Sequence, residues 1–115
     1  MNYIVPDEDE FFIREFGLSD EHDPGACLFS FIYRHESGQD LIFTHSPLYN
    51  ASVSVGLKDS KRTLFWHYQE GVSLVEFLGW GEDQIIRVSF KDTEKDLRIS
   101  YRPYPGLHYS ERLKD

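Results

Sequence analysis

CLFSFIYRH (Cys27–His35), the turn ESGQ (Glu36–Gln39) and DLIFTHS (Asp40–Ser46) decide the fold class. In the first run Phe29, Phe31 and Tyr33 recur at every second position, which puts them on one face of an extended strand. The glycine-containing turn and the second branched, aromatic run complete a β-hairpin, and Pro47 ends it because proline has no N–H to give to a ladder. Further on, NASVSVGL (Asn50–Leu57) alternates Ala51, Val53, Val55 and Leu57 with small polar residues, so one face is expected buried and the other wet. Lys58–Arg62 reads as a charged connection. TLFWHYQ (Thr63–Gln69) is a strand with Leu64, Trp66 and Tyr68 on one side and Phe65 and His67 on the other. QIIRVSF (Gln84–Phe90) and LRISYR (Leu97–Arg102) form a further hairpin about the polar turn Lys91–Asp96. The pattern predicts a mainly β chain: an antiparallel sheet or small β-sandwich of six to eight strands, with room for one short helix.

Two segments carry both periods. Around residues 73–79, Ser73 and Glu76 have capping-box spacing and Val72 and Phe77 could staple a short helix, while period two reads the same residues as a strand. The strand is the better reading, since strand-like runs flank it and a one-turn helix gains little alone. Residues 10–18 (EFFIREFGL) suit a helix, with acids at the start, Phe12 and Phe16 one turn apart and Gly17 behind; aromatic content suits a strand equally.

At 115 residues the chain has material for a single domain, 1–115, with one core, which excludes a multidomain enzyme. One cysteine, Cys27, cannot close an internal disulfide or build a Cys-rich zinc site; a reducing, cytoplasmic setting and a buried, inert thiol are expected. No apolar run approaches the roughly 20 residues that cross a bilayer, so no membrane role is expected, and the opening MNYIVPDEDE lacks the basic and apolar regions of a secretion signal.

The net charge of -8 is unevenly placed. Up to Gly56 there are 10 acids against Arg14 and Arg34, and beyond it 10 acids against 10 bases. Residues 1–23 alone hold eight acids and one base. A solvated acidic face explains such a run, and so does a docking surface for a basic protein, made of Asp7, Glu8, Asp9, Glu10, Asp20, Glu21 and Asp23. Direct nucleic-acid binding is disfavoured because no basic stripe exists.

Catalytic and metal patterns are weak. The histidines His22, His35, His45, His67 and His108 have no zinc-pair spacing, so no metal and no cofactor are expected. His45 and His67, on what read as neighbouring strands, could run acid–base chemistry on a phosphodiester, and this small-enzyme reading stands as an alternative, as does a structural subunit of a larger assembly. Gly79-Trp80-Gly81 reads as a tight turn presenting an indole. The segment YRPYPGLHY (Tyr101–Tyr109) concentrates tyrosine, histidine and proline. Tyr101, Tyr104, His108 and Tyr109 suit a protein–protein contact, and a tail covering an open sheet edge suits the same residues equally.

A short, acidic, aromatic-rich β chain, with Asp7–Glu10, Asp20–Asp23 and Tyr101–Tyr109 as its marked segments, resembles the bacterial immunity proteins of toxin–immunity pairs of the contact-dependent inhibition type. The resemblance lies in general character over the whole chain. It implies a non-enzymatic inhibitor of a basic toxin, such as a nuclease, in which carboxylates stand in for substrate phosphates and cover or plug the active site. Fast electrostatic encounter and slow aromatic release would follow.

Overall fold

The computed structural model describes residues 3–48, 50–60, 62–91 and 94–110, with the side chains of Tyr109 and Ser110 outside the description. A short helix α1 (Glu8–Ile13) precedes nine strands: β1 (Gly17–Leu18), β2 (Phe29–Arg34), β3 (Gln39–Ser46), β4 (Ser52–Asp59), β5 (Arg62–Glu70), β6 (Val72–Leu78), β7 (Gln84–Phe90), β8 (Asp96–Arg102) and β9 (Gly106–Ser110). They form two antiparallel meanders, β1-β2-β3-β4-β5 and β6-β7-β8-β9. The expected fold class is present, with two strands beyond the seven read from the sequence.

Phe31 pairs with Phe43 and Phe43 with Val55, so directly opposed residues build one apolar row across the larger sheet. The smaller sheet answers with Val75, Ile86, Val88, Leu97, Ile99 and Tyr101, each at most 2% exposed, and the two sets share one core. Gly71 carries the chain from the first sheet to the second. Its N–H lies 2.7 Å from Asn50 O and its carbonyl accepts from Lys91 N, which satisfies the backbone at the crossing.

The N-terminal segment straps the sandwich. Asp7 caps α1 by accepting from Glu10 N at 2.9 Å, and Glu8, Asp9 and Glu10 fill the first turn, where the helix dipole favours them. Phe11 is fully buried and lies flat on Phe31, with centroids 3.9 Å apart, while Phe16 and Phe77 meet it edge-on. Before the helix, Ile4 bridges Leu74 in parallel and so pairs part of the open edge of β6. Tyr3 reaches His45 at 2.7 Å.

Several expectations are corrected in detail. Residues 10–18 are helix only to Ile13, with the two-residue β1 at Gly17–Leu18; Phe11 and Phe16 are the buried aromatics, and Phe12 is 42% exposed. Residues 73–79 are strand to Leu78, as preferred. Cys27 is half-buried in a left-handed turn conformation ahead of β2, not a buried strand residue. The charged connection is shorter than read, because β4 runs to Asp59 and β5 begins at Arg62. Residues 106–110 form β9 and pair along the edge of β8, so the C-terminal segment covers that edge as a regular strand and not as an irregular tail.

Candidate protein-binding site

Three depressions on the surface share lining residues and form one continuous furrow. The largest, about 510 Å³, lies where Glu15, the β2–β3 turn (His35, Glu36), Glu82 and the β8–β9 turn (Arg102, Pro103) converge. It shares Glu15, Tyr33 and Arg34 with a second depression along β1 and β2. That one shares Ile32 and Arg34 with a third, flanked by Asp20, Glu21, Asp40 and Lys58 on the outer face of the larger sheet. Carboxylates outnumber cations along it, with Glu15, Glu36, Glu82, Asp20, Glu21 and Asp40 against Arg34, Arg102 and Lys58. Among the described residues only Glu15 of these six acids is in an ion pair, with Arg102. The field over the furrow is therefore negative.

The furrow's walls are held in place. His35 accepts at Nδ1 from Ser37 N at 3.0 Å and, in the tautomer this fixes, donates Nε2–H to the Pro103 carbonyl at 2.6 Å, which ties the two turns together. Arg102 donates Nε–H to the Tyr33 hydroxyl at 2.7 Å, and this bond is the first cause holding its guanidinium above its ordinary pKa. At the other end Ser19 Oγ meets Ser30 Oγ, which meets Thr44 Oγ1 at 2.8 Å, while Ser30 N donates to His22 Nδ1 at 3.1 Å. These bonds fasten the loop that carries Asp20 and Glu21 to the sheet. Asp23 accepts from Ala26 N at 3.3 Å and caps a single 3-10 turn.

Two exposed aromatics sit beside the groove. Trp80, 69% exposed, stacks under Arg14, whose guanidinium carbon is 3.5 Å from the ring centroid. Arg14 is itself buried, donating to the Gly79 carbonyl, and no carboxylate contacts it among the described residues. Gly79 adopts a φ of 81°, and a Cβ there would lie 2.1 Å from the Asp83 carbonyl oxygen, so the turn accepts only glycine. Tyr104, 71% exposed, leans on His35 at 5.7 Å.

The residues expected at a partner contact are thus dispersed. Asp20 and Glu21 border the furrow, and Tyr104 stands at its far end. Asp7, Glu8, Asp9 and Glu10 are exposed on α1, Asp23 on the 3-10 turn and His108 on β9. Tyr101 is fully buried, its hydroxyl donating to Gln84 Oε1 at 2.9 Å, and burial pushes it up to about 12. It belongs to the core and presents no surface. The Tyr109 side chain lies outside the described residues.

The histidine pair is also separated. His45 is on β3 and His67 on β5, with β4 between them, so they are not on neighbouring strands. His45 is 3% exposed, accepts the Tyr3 hydroxyl proton at Nδ1, and is lowered to about 4, first by burial and then by His22. Burial likewise pushes Tyr3 up to about 12. A neutral, enclosed imidazole has neither the access nor the proton affinity for acid–base work on a phosphodiester. Among the described residues no group of His, Cys, Asp or Glu is arranged to hold a metal ion, and no helix is long and apolar enough to cross a membrane.

No protein-family model matches the sequence, and no curated protein matches it significantly. The fold has a solved counterpart: one chain of a contact-dependent growth inhibition toxin–immunity protein complex from Klebsiella pneumoniae 342 superposes with a TM-score of 0.72 over 96% of this chain and 98% of that chain, at 16% identity. At that identity, what this chain shares with that component of the complex is its fold.

Proposed function

We propose that the protein is an immunity protein, which binds and neutralises a cognate basic toxin in the cytoplasm by laying the acidic furrow over its active site. The end-to-end fold likeness to a chain of a toxin–immunity complex carries this reading. Charge selects the side of the pair. A chain with net charge -8 and a six-to-three excess of carboxylates along its furrow suits the inhibitor of a phosphate-handling enzyme and not the enzyme itself. Carboxylates carried on tethered turns present negative charge with little ordering of the backbone, in place of substrate phosphates.

The decisive experiment pairs this chain with the C-terminal toxin domain encoded by the adjacent upstream gene. Co-expression should restore growth, and an unrelated metabolic enzyme upstream would end the reading. Combined Asp20→Asn, Glu21→Gln, Glu36→Gln and Glu82→Gln changes should lower the association rate about tenfold at low salt, with a much smaller effect once the Debye length falls to about 8 Å. Neutralising Asp7, Glu8, Asp9 and Glu10 tests the helix separately; unchanged kinetics would place that tetrad outside the interface. A nuclease as the toxin fits the phosphate mimicry, and assay of the partner on RNA and DNA tests it.

A further inference from the structure

The outer face of the larger sheet contains a feature that its own stability does not explain. Period two splits β5 into two faces, and the more apolar set, Leu64, Trp66 and Tyr68, is the one turned to solvent, at 38%, 51% and 54% exposure. β5 is also an edge strand. Ile42 pairs with Gly56 and Gly56 with Trp66, so the three form one row across the outer face. Gly56 sits mid-strand with an ordinary φ, where glycine weakens a sheet. Its lack of a side chain makes room for the indole: a Cβ at 56 would be 2.7 Å from Trp66 Cε3 and 2.8 Å from Cζ3, so the ring sets its benzo edge over Gly56 and stays half exposed. Leu64 and Tyr68 flank the ring on its own strand, and the neighbouring row is small, with Ser54 opposite Tyr68 and Thr44 opposite Ser54.

We propose that Trp66 on Gly56 is an aromatic platform that receives an arginine side chain of the basic partner, with Tyr68 beside it. The inference rests on the immunity reading above and deepens it by locating the contact that sets residence time. Three observations specify the occupant. A planar guanidinium matches an exposed indole face, and the molecule already makes that contact internally between Arg14 and Trp80 at 3.5 Å. Glu70 lies further along the same face of β5, beyond Tyr68, and places a negative charge at that end of the exposed aromatic stripe. The platform adjoins Ile42, which lines the acidic furrow, so one basic surface spans both. A pre-positioned ring loses little rotamer freedom on binding, which favours slow release.

Dissociation of the complex with the upstream-encoded toxin domain tests this. Trp66→Ala should raise the dissociation rate about 10- to 100-fold with the association rate nearly unchanged, opposite to the furrow variants. Trp66→Phe should retain most of the affinity and Trp66→Leu should not, because leucine keeps apolar area but has no π face. Gly56→Ala, which keeps every aromatic but lifts the ring, should accelerate release several-fold. Unchanged melting temperatures of the exposed-site variants confirm the fold, and Tyr68→Ala gives a second reading of the same face. Wild-type dissociation in Trp66→Ala, or equal binding by the leucine variant, overturns the arginine platform while leaving the immunity reading intact. Failure of the wild-type chain to bind overturns both.

Discussion

Phe11→Ala is expected to lower the free energy of unfolding by about 3–5 kcal/mol, a large share of the roughly 5–15 kcal/mol available to a domain. Phe11 is fully buried, stacked on Phe31 and flanked by Phe16 and Phe77, so truncation removes the ring that joins the strap to both sheets. The cavity would be lined by rigid rings that collapse poorly. Phe12→Ala, one residue on and 42% exposed, should cost no more than about 0.5 kcal/mol. Guanidinium denaturation midpoints of the two variants compare them directly. Equal shifts would mean that α1 is not docked through Phe11.

Acidification should destabilise the fold through His45 before most carboxylates protonate. Its folded-state value of about 4 lies below the ordinary 6.5, so between these limits the unfolded chain binds the proton and the native chain does not. Stability is complete above pH 6.5 and is lost as pH falls towards 4, by on the order of 3 kcal/mol across that window. His45→Asn places a carbonyl oxygen near the position of Nδ1 and removes the titration. The variant should be less stable at pH 7, yet its stability between pH 6.5 and 4.5 should vary much less than that of the wild type. Parallel pH profiles for the two proteins would show that His45 is protonated without cost in the folded state.

Strand pairing was legible because period two acts locally. Phe29, Phe31 and Tyr33 lie in β2 as their spacing requires, and the β3, β4, β7 and β8 ladders follow the same rule. Which face of β5 points inward was not legible, since alternation defines two faces without ranking them. The pairs Leu57 with Phe65 and Val55 with His67 settle it, and they hold the bulkier apolar set outside. Tyr101 carried a readable signal: it completes the row Leu97, Ile99, Tyr101, which is core on β8, but the neighbouring prolines drew it into the reading of a tail. Glu15, Glu36 and Glu82 stand far apart in the chain and meet only through tertiary packing, so no spacing pattern marks the furrow. For the same reason the one-turn spacing of Phe12 and Phe16 does not reveal that Phe11 is the helix's buried ring, which the packing of α1 on β2 decides.

The N-terminal strap also orders events in time. Tyr3, Ile4, Phe11 and Arg14 find their partners in His45, Leu74, Phe77 and Gly79, between 42 and 70 residues further along. During translation at about 5–20 residues per second, several seconds separate synthesis of Phe11 from that of Phe77. For that interval Phe11 and Phe16 have only the rings of the first sheet, Phe31, Phe43 and Tyr33, to pack on, and lack the second sheet that completes their enclosure. Eight acids lie within residues 1–23 around these rings, and charged flanks of this kind hinder association of exposed apolar segments. Phe11 and Phe16, made among the first residues, are thus fully enclosed only when Phe77 and Tyr101 of the second sheet are in place.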